Sequence, residues 1–507
     1  MRSSPLSFPH AVGTALMLAA SILLSGCVVG PDFAPPALPA MTQVTTAPLP
    51  TTTTSAATTG GAAQNLVIGR DIEGEWWTMF HSQRIAALVV QALEANPSIA
   101  AAQATLRQAK ENTRAEQGGF FPSLSASSSA EREKTSAVTA GLPAGTNIAP
   151  LSVVGASLSV SYNPDVFGGV SRSVEQLEAQ AEYQRFELEA TYLSLAANVV
   201  TTALNEASLQ GQIDATNEII RLYRDELAVT QRRLDLGGVT RADVLTQQSN
   251  LAAAIATLPP LLKQRDQQRN QLATYLGAAP SQISGPPLDL ADLTLPEELP
   301  VSLPSAIVAQ RPDIRAARAT LHAATANVGI ATANMLPSIT LSGSYGAQNS
   351  SFGNLFTPAG LIWSVAGAIS QPIFDGGTLS ARRRAAVAAM QVAAAQYSST
   401  VNAAFQDVAN ALVAVQRDAD TLRAALDSEQ TAASSLAVVR GQYDAGAVTY
   451  VNVLQAEQLY QSARLSLVSA QAARFTDTVA LTQSLGGGWW HRTDIDPSVA
   501  DCCGIFK

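Results

Sequence analysis

The sequence predicts a mostly α-helical fold that continues into a membrane β-barrel, with one plan used twice along the chain. Three observations lead there. Residues 96–123 align without a gap on 311–338, so that Pro97, Ile99, Ala104, Thr105, Leu106, Asn112 and Pro122 recur as Pro312, Ile314, Ala319, Thr320, Leu321, Asn327 and Pro337. Further on, Asp235, Gly237, Val239, Thr240, Val244 and Leu245 recur as Asp444, Gly446, Val448, Thr449, Val453 and Leu454. The slightly different shift between the two blocks is what unequal surface loops between fixed elements produce. Second, two very long stretches are almost free of helix breakers. Third, four short stretches alternate apolar with small polar residues.

The chain opens with Arg2 and an apolar run from Ala11 to Leu24, the length and flank of a secretory signal rather than of a spanning helix. The run closes at LSGC, Leu24 to Cys27, which resembles the lipobox of bacterial lipoproteins. Residues 1–26 are therefore expected to be a signal peptide, and Cys27 an acylated first residue. Several acyl chains on one cysteine give stable anchoring, at about 0.8 kcal/mol per buried methylene. Val28 rather than Asp follows, which by enterobacterial sorting rules implies the outer membrane. From Pro35 to Gln64 the chain is rich in Pro, Thr and Ala with almost no large apolar residue, a composition that supports no core and reads as a tether. The expected organisation is a lipidated N-terminus and tether over 27–65, a first repeat over 66–290, a second over 291–486 and a tail over 487–507.

Between Gly169 and Leu236 there is no proline and no glycine except Gly211, and good helix formers dominate; from Ser380 to Ala445 only Gly441 intervenes. At about 1.5 Å per residue, some 60 residues of helix run roughly 90 Å, a strut rather than part of a globular core. Shorter helices are expected at Arg84–Gln117, Arg241–Leu276, Pro312–Asn334 and Tyr450–Leu485. Leu195, Val199, Thr202 and Leu209 hint at a packed face, blurred by abundant alanine.

Val154, Ala156, Leu158, Val160 and Tyr162 alternate with Gly155, Ser157, Ser159 and Ser161, giving one apolar and one small polar face. Ile339 to Gly346 and Leu361 to Ile369 behave alike, and Leu124 to Ala130 more weakly. Each approaches the 9 to 11 residues that a tilted strand needs to cross a bilayer. Four strands cannot close a barrel, and open edges cannot sit in lipid, so two or more chains must associate.

Composition excludes other classes. A net charge of −9 argues against nucleic acid. Beyond Cys27 the only cysteines are Cys502 and Cys503, so no disulfide framework is expected. No phosphate loop, metal-ligand spacing or nucleophile elbow appears, so neither an enzyme nor a cofactor nor a metal is expected. Cys502 and Cys503 with His491 lack the further ligands a soft metal needs. Arg382 to Arg384, just past the last strand, read as a solvated helix surface in preference to a contact with lipid headgroups.

Three further stretches, CVVGPDFAPP (Cys27 to Pro36), EWWTMF (Glu75 to Phe80) and LPVSLPSAIVAQRPDIRAARATL (Leu299 to Leu321), make nearly the whole mature chain resemble the outer membrane factors of tripartite efflux systems. This is the TolC superfamily with its lipidated NodT-like and OprM-like members. The resemblance implies a homotrimer: twelve strands in the outer membrane, then a long periplasmic barrel of helices. It implies a periplasmic adaptor and an inner-membrane pump as partners, and export of small molecules such as drugs.

In that family the helical turns furthest from the outer membrane meet the adaptor and close the tunnel. They map here to Leu234–Val239 and Tyr443–Val448, with Gly237 and Gly446 suited to the reversal. Tyr443 and Asp243 match positions that form closing hydrogen bonds. Val448 stands in place of a gating Arg, and Asn452 and Gln455 in place of carboxylates that ring the constriction. The nearer alternative is the outer duct of a type I protein secretion system. The more distant one is a non-conducting lipid-anchored helical scaffold, which gives no reason for strands to come in equal pairs in each repeat.

Overall fold

The computed structural model describes residues 28–37, 45, 50–283, 285–302 and 304–491. Cys27, Cys502, Cys503 and the signal sequence lie outside the described residues. The chain runs through β1 (Asn65–Ile68), α1 (Gln83–Ala95), α2 (Pro97–Gln117), β2 (Ser123–Glu133), β3 (Leu151–Tyr162), α3 (Gly169–Asp235) and α4 (Arg241–Tyr275). It continues with β4 (Glu298–Val301), α5 (Pro304–Gln310), α6 (Pro312–Ala333), β5 (Ser338–Asn349), β6 (Leu361–Ser370), α7 (Thr378–Asp444) and α8 (Tyr450–Ser484). Helices α3 and α7 are 67 residues each, and α4 and α8 are 35 each. Among the described residues no single helix is long and apolar enough to cross a membrane.

One expected helix is two. Pro97 disfavours helical backbone at Asn96, which is extended, and α1 meets α2 at a 44° bend. The Asn96 carboxamide oxygen then accepts from the Ser98 N–H at 2.8 Å, serving the first turn of α2. The short parallel pair β1 and β4 was not expected, since four residues carry too little pattern.

The residues fall into two compact units, each drawing on both halves of the chain. The first comprises Met1–Pro35, Gln108–Tyr183 and Arg318–Gln396. At its centre is one antiparallel sheet in the order β2-β3-β5-β6. Register fixes two faces. Ser125, Ser159, Ser344 and Ser364 stand in one row, and Ser127 meets Ser157 at 3.0 Å between hydroxyl oxygens. The opposite face carries Leu158, Tyr345 and Trp363 in one row and Val160 and Val365 in another, all exposed. Every residue of β2 and of β6 is exposed, and each forms an outer edge of the sheet.

The same unit fixes the segment that follows Cys27. The Val29 N–H donates to the Phe167 carbonyl, and the buried Arg172 guanidinium donates to the Val29 carbonyl at 3.1 Å and pairs with Asp32 at 2.7 Å and Glu175 at 2.6 Å. Phe33 stacks on the His322 ring with centroids 4.3 Å apart, and His322 meets Glu175 at 2.9 Å.

The second unit comprises Pro36–Arg107, Gln184–Ala317 and Tyr397–Lys507. Its helices bury small side chains such as Ala196, Ala203, Ala404 and Ala419 beside Val200, Leu204, Val408 and Val415. Part of the stretch read as a tether is fixed here. Thr54 donates to Asp420 at 2.7 Å, Gln471 donates to Thr58 at 2.7 Å, and the buried Arg474 donates to the Val415 carbonyl, Thr53 and the Ala62 carbonyl. The segment lacks a core of its own, as its composition requires, and takes its order from the polar groups of α7 and α8. The start of the tail is also packed: Trp489 is buried against Phe186 and donates to the Gln310 carbonyl, and His491 pairs with Asp71.

Candidate functional site

The two hairpin ends share one local structure. Gly237 (φ +77°) donates to the Leu234 carbonyl and Gly446 (φ +73°) to the Tyr443 carbonyl, each at 2.9 Å. A side chain at either glycine would be strained in this left-handed conformation, which explains why both turns carry glycine at the same place. Leu236 is exposed at the first turn, while Leu234 and Val448 are half-buried.

The second helix of each hairpin begins at a threonine. At Thr240 a reciprocal cap forms: its N–H and hydroxyl both donate to Asp243 Oδ2 at 2.8 Å, and the Asp243 N–H returns to the Thr240 hydroxyl at 3.3 Å. At Thr449 the hydroxyl donates to Asn452 Oδ1 at 2.8 Å. Asp243 and Asn452 thus occupy the same position in the two hairpins, and both are turned to their own helix starts.

Within one chain, Asp243 and Tyr443 meet groups other than each other. In one chain that carboxylate serves its own cap, and the Tyr443 ring packs elsewhere, 5.4 Å from the Tyr450 ring and 4.9 Å from the Arg233 guanidinium. Gln455 is exposed.

Other residues join the hairpins. Arg233 on α3 pairs with Asp444 at the end of α7 at 2.6 Å. Deeper, Arg440 on α7 bridges Glu226 on α3 and Glu457 on α8, the latter at 3.0 Å. Gln247 on α4, fully buried, donates to Glu226 at 3.2 Å and accepts from the Tyr450 hydroxyl. All four long helices therefore contribute to one polar cluster, with Gln247 and Glu457 buried and Glu226 and Arg440 half-buried. The cluster is incompletely satisfied, since Glu457 Oε2 and Arg440 Nε lack partners. Burial, followed by the neighbouring Glu226, pushes the Glu457 carboxyl far above the usual range, to about 8. Burial likewise pushes the Tyr223 hydroxyl up to about 12 and raises Tyr450. Beside the cluster lies a groove of about 280 Å³ lined by Glu226, Val229, Arg233, Tyr443 and Tyr450.

Sequence reasoning missed Glu226, Gln247, Arg440 and Glu457. A signal was available in the aligned repeats: Glu226 stands opposite Ser435, Arg440 opposite Gln231, and Glu457 opposite Gln248. Charge present in one repeat and absent from its twin marks where the two hairpins do different work. Among the described residues no three His, Cys, Asp or Glu side chains gather as metal ligands.

Comparison with known proteins follows the same outline. The model of the family described as outer membrane efflux protein matches residues 88–278 and 303–487. The antibiotic efflux pump outer membrane protein ArpC of Pseudomonas putida is 27% identical over 475 residues, covering 93% of this chain and 95% of that protein. The outer-membrane channel OprN superposes with a TM-score of 0.80 at 27% identity, over 91% of this chain and 100% of that one. The open state of the Neisseria gonorrhoeae outer membrane channel MtrE gives 0.78 at 27% identity, over 92% and 100%.

Proposed function

Because the chain belongs to the outer membrane efflux protein family, we propose that it is the outer membrane channel subunit of a tripartite efflux system, working with a periplasmic adaptor and an inner-membrane pump to export small molecules. The observation that carries this reading is the sheet β2-β3-β5-β6, apolar on one face, serine-rich on the other and unpaired at both edges. An unpaired edge is untenable in lipid, so β2 of one copy pairs with β6 of the next. Three copies close a twelve-stranded barrel. The equal lengths of the paired long helices support an internal duplication extending into a helical barrel. Native mass spectrometry in detergent is expected to show three chains, and the same preparation to conduct ions across a planar bilayer. A monomer or dimer that conducts would overturn the twelve-stranded closure, and a trimer that never conducts would return the chain to a scaffold role.

The hairpin ends around Gly237 and Gly446 are the periplasmic gate and adaptor contact, with Leu234, Asp243, Tyr443, Val448, Asn452 and Gln455 within it. The polar cluster of Arg440, Glu226 and Glu457 holds each chain's two hairpins together.

Cys27 carries the lipid anchor. Support comes from the grip of Arg172 and Phe167 on Val29 and Asp32, which fixes the chain immediately after Cys27 close to where β3 gives way to α3. Acyl-chain labelling followed by mass spectrometry is expected to mark the wild type and not Cys27→Ser. Equal lipid on both forms would rule the anchor out. The unlipidated trimer is expected to assemble, because the barrel inserts on its own.

A further inference from the structure

We infer that Glu131 and Glu133 make the outer mouth of the barrel selective for cations, an assignment that rests on the channel reading above. Ser123, Ser125, Ser127 and Ser129 share a face with Ser157, Ser159, Ser161, Ser342 and Ser344, since directly opposed residues point the same way. The exposed Leu158, Val160, Tyr345, Trp363 and Val365 lie on the other face and suit lipid, so the serine face lines the duct.

Alternation carries this assignment to the end of β2. Glu131, opposite Val153, and Glu133, opposite Leu151, follow the serines onto the duct face, whereas Arg132, opposite Ser152, lies on the lipid face. No other charge competes. From Ser123 to Tyr162 the only charged side chains are Glu131, Arg132, Glu133 and Lys134, and from Ser338 to Ser370 there are none. Arg132 is on the wrong face to neutralise the carboxylates, and Lys134 lies beyond the strand end. Among the described residues Glu133 accepts from the Thr135 hydroxyl, at 3.3 Å. The rest of the duct face is small or hydroxylated apart from Leu151, Val153, Ile362 and Gln348, so fixed charge of one sign is confined to one end.

The end in question is the exterior one. β2 follows α2, β3 leads into α3 and β6 into α7, so every helix joins the sheet at one end and the β2–β3 turn lies at the other. Two carboxylates from each of three chains then ring the exit. Such a ring enriches cations and repels anions in a low-dielectric pore. At the periplasmic end Asn452 and Gln455 are neutral, Asp444 is paired with Arg233, and Asp243 is turned to its own helix cap, which leaves the exit carboxylates without an opposing cation as the group tested here.

Reversal potentials across a planar bilayer under a potassium chloride gradient test this. They are measured at about 0.01 M salt, where the Debye length of about 30 Å reaches across the duct. The wild-type trimer is expected to prefer potassium several-fold. The preference should fall toward parity in the Glu131→Gln, Glu133→Gln double variant and turn to chloride in the Glu131→Lys, Glu133→Lys double variant. Arg132→Gln, on the lipid face, should leave it unchanged. A channel that conducts with the same potassium preference in all four forms overturns the assignment to these carboxylates while leaving the channel intact. A wild type that does not conduct removes the channel reading and the inference with it.

Discussion

Arg440→Ala is expected to raise single-channel conductance and the uptake of large antibiotics by intact cells. Arg440 is the cation between two carboxylates on helices of different hairpins, Glu226 on α3 and Glu457 on α8. Removing one partner of a buried pair costs about 3–5 kcal/mol when the remaining charge stays ionised. Burial and Glu226 raise the Glu457 carboxyl and Arg440 is only part-buried, so the loss is closer to that of a charge-assisted hydrogen bond, about 2 kcal/mol. That shifts an open-to-closed ratio about 30-fold. Asp243→Ala is the informative contrast, because it removes a helix cap worth about 1 kcal/mol and leaves the bridge between hairpins intact. If Arg440→Ala conducts like the wild type at equal trimer content, the bridge does not hold the ends together. If Asp243→Ala has the larger effect, closure depends on that aspartate across the chain boundary.

Alkaline pH is expected to loosen the same contact, and Glu457→Gln to abolish the response. Glu457 titrates higher in the folded protein than in the unfolded chain, chiefly through burial and then through Glu226. The folded state therefore binds the extra proton, and its stabilising contribution is complete below the ordinary glutamate range and lost as pH rises through about 8. The groups facing Glu457 do not share this window. Tyr223 and Tyr450 are pushed upward and stay neutral, Arg440 stays charged, and Gln247 does not titrate. Conductance should thus climb in the wild type as pH rises from above the ordinary glutamate range through about 8, and level off beyond it. Glutamine keeps the neutral shape and should give a flat profile. A pH response identical in both forms would assign the titration to another group.

Much of the fold was legible because its punctuation is unambiguous. The long helices expected over Gly169–Leu236 and Ser380–Ala445 are observed at Gly169–Asp235 and Thr378–Asp444. Glycine and proline mark their ends, and inside them only the single glycines Gly211 and Gly441 intervene. The apolar face sought at Leu195 and Val199 was blurred for a physical reason: Ala196, Ala197, Val200, Ala203 and Leu204 are buried as well, so the helix is enclosed on several sides and has no single stripe. The hairpin turns were legible through Gly237 and Gly446. The bridge between hairpins was not, because Arg440 and Glu457 are far apart along the chain and each alone looks like ordinary helix polarity. Resemblance matches Asp243 to a closing hydrogen bond, whereas the Thr240 spacing announces the local cap that it forms within one chain.

The contacts of residues 50–64 constrain the order in which this chain acquires structure. Thr53 receives its hydrogen bond from Arg474, 421 residues later, and Gln64 donates to Thr478, 414 residues later. Closing loops of that size carries an entropic penalty that local contacts do not, and contacts of this kind form late. The earliest part of the body to leave the ribosome is therefore among the last to settle. Until α8 has been synthesised and exported, this segment lacks Gln471, Arg474 and Thr478 and keeps its contacts to α7 and to Pro296, which leaves it protease-accessible. A chain truncated before α8 would leave it so permanently, which makes cleavage within residues 50–64 a direct readout of whether the final helix has docked.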